Sequence, residues 1–199
     1  MDQRTVLLLA AGASRRMGGR DKLLELIDGT PIIARQAKNA LAVADNVLVT
    51  LPPDRPKRLK VLQHLRDKLN IIEVPGADQG MSASFRAVSQ LDIPGPIMVL
   101  PCDMPELTKE LLDTVWLTYE GNPNSIVRGA AEDGTPGHPV IFPQDLIERF
   151  ATLTGDEGAR AILKQNKDRI VKTPLPGEAA LIDLDTPEAW DCWKASNRL

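Results

Sequence analysis

The chain has 199 residues, with 24 Lys and Arg against 27 Asp and Glu, a formal net charge of −3 and 43% hydrophobic residues. It is long enough to fill one core without metal or disulfide staples, so the expectation is a single domain spanning 1–199. A near-neutral charge excludes the broad basic footprint of a nucleic-acid binder, no apolar run nears the roughly 20 residues of a membrane span, and the acid at position 2 is unlike a secretory leader.

Short apolar runs predict strands at Thr5–Ala10, Asn46–Leu51, Ile71–Val74, Ile97–Leu100, Ser125–Ala130, Pro139–Phe142, Ile170–Thr173 and Ala180–Asp183. Helical spacing appears between them. Ile33, Ala37, Ala40, Leu41 and Ala44 share a face behind Thr30, read as N-cap, and Pro31. Leu62, Leu65 and Leu69 form a second stripe. Helices are also predicted at 82–92, 108–118, 156–165 and 187–196, with Asp156 and Thr186 as N-caps. This alternation predicts an α/β fold: a mostly parallel sheet with helices on both faces. Two strands follow one another without a helix between about 120 and 145, which predicts an antiparallel edge or ribbon there.

In open α/β sheets, ligands gather beyond the carboxyl ends of the strands. The first strand runs into Ala11-Gly12-Ala13-Ser14-Arg15-Arg16-Met17-Gly18-Gly19-Arg20-Asp21-Lys22. Glycines let the backbone approach a ligand, and Arg15, Arg16, Arg20 and Lys22 supply cations, a combination that suits a polyphosphate better than a solvated basic turn. The spacing fits neither the Walker A loop nor the dinucleotide fingerprint.

The motif L-A-A-G-x-S-x-R-M-G followed by a lysine, from Leu9 onwards, resembles the signature of nucleotidyltransferases that act on molybdopterin, sugar phosphates and related acceptors. Gly80-Met81-Ser82, Leu100-Pro101-Cys102-Asp103-Met104-Pro105, Gly137-His138-Pro139-Val140, Gly155-Asp156-Glu157-Gly158-Ala159-Arg160 and Asp183-Leu184-Asp185-Thr186-Pro187 extend that resemblance in order along almost the whole chain. Together they look most like the cytidylyl branch of the molybdopterin nucleotidyltransferase family. The resemblance implies a three-layer α/β/α Rossmann-like fold, its N-terminal half binding the nucleotide and its C-terminal half largely the acceptor. It also implies Mg²⁺, with Mn²⁺ as the alternative ion, and CTP and a molybdopterin-type substrate. A molybdenum hydroxylase or its maturation factor would be the recipient. The expected setting is the cytoplasm, with no nucleic acid or membrane as partner.

Site roles follow from the same resemblance. Arg15, Lys22 and Asp103 are the expected catalytic residues. Ala10, Ala11, Gly12, Ser14, Arg15, Lys22, Gly80, Met81 and Ser82 are expected at the nucleotide, and Gly137, His138 and Pro139 at the acceptor. Asp103, at the carboxyl end of a predicted strand, suits a divalent cation that takes one or two carboxylates beside substrate phosphates. Asp183 and Asp185 point to one side if extended, so both face the phosphates or one caps the last helix. The resemblance favours Asp185 as the second metal ligand.

The absence of a nucleophile constellation agrees with this chemistry. A phosphate acceptor is already an anion, and positioning with cationic clamping supplies most of the catalysis. His64 reads as a part-exposed helix residue, and His138 as an acceptor-side or a turn histidine. Met81 with Phe85, and Trp190 with Trp193, read as packing pairs, and Cys102 and Cys192 as small reduced packing residues. A methyl group at Ala11 would crowd a purine, which favours CTP. The Met17–Lys22 loop instead resembles the guanylyl branch, and Cys102 departs from the residue common before the metal aspartate.

Overall fold

The computed structural model describes residues 3–197. Its strands are β1 (Thr5–Leu9), β2 (Leu26–Ile27), β3 (Thr30–Pro31), β4 (Asn46–Leu51), β5 (Asn70–Glu73), β6 (Ile97–Pro101), β7 (Ile126–Ala130), β8 (Pro136–Phe142) and β9 (Ile170–Pro174). The α-helices are α1 (Ile32–Leu41), α2 (Pro56–Leu62), α3 (Ser82–Val88), α4 (Lys109–Glu120), α5 (Arg160–Gln165) and α6 (Pro187–Ser196).

Seven strands form one sheet in the order β5-β4-β1-β6-β8-β7-β9. Every neighbouring pair is parallel except the two that involve β8. Alternate side chains divide the core between the two faces, as the strand period of two requires. Val6, Leu8, Val49, Met98, Leu100 and Ile141 pack with Ala37, Trp116 and Trp190 on one face. Leu7, Leu48, Val99, Val140 and Phe142 pack with Phe85, Phe150 and Ile162 on the other. This is the expected mostly parallel α/β/α arrangement.

The antiparallel portion is not an edge but centres on β8, which pairs with β7 in a ribbon and with β6 on its other side. Val140, Ile141 and Phe142 bury side chains on both faces, and a strand buried on both faces belongs inside a sheet. The edge beyond β7 is β9. Residues 180–183, expected as a strand, instead make a turn and irregular chain. Leu181 and Ile182 donate backbone N–H groups to the carbonyl of Glu178, and this local turn replaces a strand ladder.

Helix starts moved for local reasons. Thr30 does not cap α1. It pairs with Ile27 in the small β2–β3 hairpin, whose Asp28-Gly29 turn has φ of 49° and 72°, so α1 begins after Pro31. Asp156 caps nothing either, because Gly155 and Gly158, at φ of 63° and 56°, hold a loop until α5 starts at Arg160. The second leucine stripe leaves the α-helix at Leu62 and continues as a 3₁₀ turn, Gln63–Lys68.

β1 and β6 end at one edge of the sheet, where β7 also ends and the reversed β8 begins. The loops after β1, β6 and β9 therefore meet there. Thr186 fixes the last of them as expected: its hydroxyl accepts from the Ala189 N–H at 3.2 Å, with Pro187 opening α6. Thr186→Ala should cost about 1 kcal/mol of stability, the usual cost of losing an N-cap, measured by urea unfolding.

Candidate active site

The loop after β1 doubles back through three residues at positive φ: Ser14 at 53°, Gly18 at 58° and Gly19 at 89°. Two are glycines, for which this conformation carries no side-chain clash. The whole loop rests on Arg58 of α2, whose side chain is completely buried. Arg58 Nε and Nη2 each donate to a different oxygen of Asp21 at 2.8 Å, and Nη1 donates to the Ala10 carbonyl at 2.6 Å. Nη2 also reaches Ser14 Oγ at 3.1 Å, while that oxygen accepts from the Lys22 N–H at 3.3 Å. One guanidinium thus ties both ends of the loop. Burial pushes the Asp21 carboxyl up, but the hydrogen bond and charge of Arg58 outweigh it and hold the group below the ordinary range.

Asp21 also accepts from the Leu23 N–H at 3.1 Å, which sets the direction of the short turn carrying Lys22. Lys22 Nζ donates to Asp103 and to Asp185, and Arg16 donates to the other oxygen of Asp185. Burial alone would lower the Lys22 pKa, yet Asp103 and then Asp185 hold it above the ordinary value. The Leu184 N–H donates to the Asp103 carbonyl at 3.0 Å, so two segments 81 residues apart in sequence present their carboxylates together. Asp183 lies near them, its pKa raised by partial burial and by the charges of Asp185 and Asp103.

These groups line a cleft in two adjoining parts, of about 460 and 540 Å³, with Arg16, Lys22, Met81, Asp103, Asp156 and Asp185 bordering both. Ala11, Gly12, Ser14, Arg15, Asp78 and Gly80 border the smaller part. Phe85, Arg128, Gly137, His138, Phe142, Arg160 and Asp183 border the larger. Gly80, at φ 106°, closes the two parts together: a Cβ there would meet Asp156 Oδ1 at 2.3 Å and the Gly155 backbone at 2.7 Å. The loop 155–158 is thereby folded over Gly80-Met81-Ser82, and Ser82 donates its N–H to the Gly155 carbonyl at 3.2 Å.

Several expected residues lie behind the wall. Ala10 is buried under the loop, Ser82 turns its hydroxyl to Arg86 at 3.0 Å, and Pro139 is buried in the sheet. Ser84 borders the smaller part, two helix positions beyond the expected residue Ser82. Arg20 faces away and pairs with Glu25 at 3.2 Å, while Arg15 reaches the Asp78 carbonyl at 3.5 Å across the opening. Met81 is 44% exposed at the cleft, so only Phe85 of that pair is core. Trp190 and Trp193 pack edge to face. His64 is exposed, as is Cys192, whereas Cys102 is buried and its thiol pKa is raised by that burial.

His138 sits in the larger part with Nδ1 buried and without a hydrogen bond. Burial, with the charge of Arg128 adding to it, pushes the imidazole down to about 4, so it is neutral near pH 7. Gly137 makes room beside it: a Cβ would lie 2.0 Å from the Ala180 carbonyl, which accepts the His138 N–H at 2.8 Å. Arg58, Asp21, Arg128 and Asp156 carry the site without having been singled out for these roles in the sequence. Nothing local distinguishes Arg58 from Lys57 or Lys60 on the same short helix.

Asp103 and Asp185 are all-oxygen donors, the set a hard divalent cation uses together with substrate phosphates and water. Among the described residues no three His, Cys, Asp or Glu side chains close on one point as a complete metal cage. The carboxylates therefore fit a cation shared with substrate, not a self-contained structural ion.

Residues 6–170 match the MobA-like NTP transferase domain, and the chain belongs to that family of nucleotidyltransferases. It is 32% identical over 164 residues to a protein named "Probable molybdenum cofactor guanylyltransferase" from Natronomonas pharaonis, covering 81% of this chain and 79% of that one. It is 30% identical over 188 residues to a molybdenum cofactor guanylyltransferase from Pseudomonas paraeruginosa, covering 92% and 91%. The crystal structure of Rv0371c from Mycobacterium tuberculosis superposes with a TM-score of 0.78 at 25% identity, covering 96% and 97%. That protein has also been crystallised as a manganese complex, with a TM-score of 0.76, 22% identity, and 98% and 99% covered.

Two predictions follow from the geometry. Arg58→Ala leaves the Asp21 carboxylate buried without its cation and should cost about 3 kcal/mol in urea unfolding. The His138 imidazole has a folded pKa of about 4 against 6.5 for the free group. The unfolded chain then binds the extra proton between those values, so this contribution to stability is full above pH 6.5 and is lost as pH falls towards 4. His138→Gln should flatten that part of the pH–stability curve by on the order of 3 kcal/mol, read as the difference between two unfolding series.

Proposed function

We propose that the chain transfers CMP from CTP to a phosphate of a molybdopterin-type molybdenum cofactor, releasing pyrophosphate and forming the cytosine dinucleotide cofactor. The observation that carries nucleotidyl transfer is the meeting of Lys22 with Asp103 and Asp185 at the mouth of the glycine loop. The names of the relatives supply the acceptor. An acceptor phosphate oxygen attacks the α-phosphorus, and the bond from that phosphorus to the β-phosphate bridging oxygen breaks. No side chain need remove a proton, so the chain's work is to hold anions together.

In this reading the N-terminal half binds the nucleotide and the C-terminal half largely the acceptor, within one domain. Ala11, Gly12, Ser14, Gly80 and Met81 border the nucleotide. Arg15 and Lys22 place cations against its phosphates and the departing pyrophosphate. Asp103 and Asp185, with Asp183 beside them, would hold Mg²⁺ or Mn²⁺, which neutralises phosphate charge when bound. Gly137 and His138 border the acceptor. The product would pass to a molybdenum hydroxylase or its maturation factor.

CTP is favoured by Ala11. This alanine borders the smaller part of the cleft, packed with Val74 and Ala83, and in this reading its methyl takes room that a purine would need. A second reading, transfer of GMP from GTP, draws on the guanylyltransferase names of both relatives. Purified protein supplied with molybdenum cofactor, Mg²⁺ and each nucleotide separates them: CTP should yield pyrophosphate and the dinucleotide. Product with GTP alone would overturn the cytidylyl assignment, and product with neither would overturn the molybdenum reading. Asp103→Asn should lower the turnover number at least about 100-fold, and unchanged turnover would remove Asp103 from the metal role.

A further inference from the structure

Arg128 projects from β7 into the larger part of the cleft. It shares a strand face with Ile126, which packs in the cluster of Phe85, Val99 and Phe142, so its guanidinium stands at the edge of an apolar floor. Nε and Nη2 both donate to one acceptor, the Gly137 carbonyl, at 3.3 and 3.2 Å. Among the described residues no carboxylate lies within ion-pairing distance of it. Arg15 and Arg160 are also without a carboxylate there, but both are exposed and water solvates them. Arg128 is half-buried, and burial disfavours its charged form.

A cation removed from water without a counter-ion is costly unless something else supplies the negative charge. The neighbouring His138, neutral near pH 7, adds a second unsatisfied polar group, its Nδ1 buried in the same wall without a hydrogen bond. Lys22 and Arg16 already have Asp103 and Asp185, so the half-buried cation of the cleft left without a carboxylate is Arg128, on the side away from the glycine loop.

We propose that Arg128 binds an anionic group of the acceptor, a phosphate in the reaction considered above, and so selects phosphorylated acceptors over neutral ones. The proposal rests on nucleotidyl transfer to an anionic acceptor, but not on which nucleotide is used or on molybdenum. Fork-shaped guanidinium contacts suit phosphate oxygens, and the remaining Nη1 is free to make one beside the Gly137 contacts.

The test is calorimetric titration of inorganic phosphate into protein saturated with Mg²⁺ and whichever of CTP or GTP binds. Wild type should saturate. Arg128→Met should raise the phosphate Kd by roughly tenfold or more, and Arg128→Lys, which keeps the charge but not the fork, by a smaller factor. The nucleotide Kd should stay within about twofold in both variants, because Arg128 does not border the nucleotide part. Equal phosphate binding by wild type and Arg128→Met, or no phosphate binding by wild type, would overturn the proposal. So would equal losses of phosphate and nucleotide affinity. Failure of molybdenum cofactor to react with either nucleotide would overturn the molybdenum reading and leave this titration standing.

Discussion

A guanidinium with no access to water must find every partner inside the protein, and Arg58 finds its own in the loop that follows the first strand. Asp21 takes two of its bonds, the Ala10 carbonyl a third and Ser14 a fourth. Burying a charge is tolerable only where an opposite charge and several hydrogen bonds meet it. The pairing has a geometric consequence, because the two ends of a glycine-rich loop are clamped from beneath while its upper surface is left to the cleft. Lys22 follows Asp21 directly, so the residue that meets Asp103 and Asp185 inherits its position from an ion pair that the cleft never sees.

Above that clamp, the charges of the site balance locally. Lys22 lies between Asp103 and Asp185, and Arg16 shares Asp185. A net charge of −3 hides this arrangement, since cations from 15–22 and acids from 103 and 185 cancel in the total while standing opposite one another in space. Nucleotidyl transfer to a phosphate is a problem of holding mutually repelling anions in line, and an array of opposed charges at one sheet edge is suited to it. Neither a reactive thiol nor a histidine base is required. Cys102 and His138 agree, the one buried with its thiol protonated and the other buried and neutral.

The alternation of apolar runs with amphipathic stretches carried the fold class, because strand and helix periods leave different marks on a sequence. Asn46–Leu51 and the last helix, 187–196, stand where the pattern placed them. The errors fell where a tertiary contact or a turn overrode local preference. Thr30 has good capping chemistry but is engaged by Ile27, and Asp156 stands between two left-handed glycines, the second of which separates it from its helix. The apolar run at 180–183 reads as a strand, yet the Gly177-containing turn before it directs the chain across the strand ends.

At the site, linear motifs were enough for the glycine loop, Lys22, Asp103 and the acid pair at 183 and 185, since each forms a short segment of unusual composition. Arg58 and Arg128 had no such marker, and Asp156, inside the motif at 155–160, reads there only as a helix cap. Arg58 is one basic residue among several on an ordinary helix, and Arg128 one arginine in a strand. What sets them apart is burial and the identity of the atoms opposite, which arise only when residues 10, 21 and 58, or 128 and 137, are brought together. The sequence by itself determined the order of strands and helices and the chemistry of the groups at the strand ends, because those depend on local periodicity and residue type. Only the tertiary structure decided which cations are paired and which is left facing the cleft, because pairing depends on distances between segments remote in the chain.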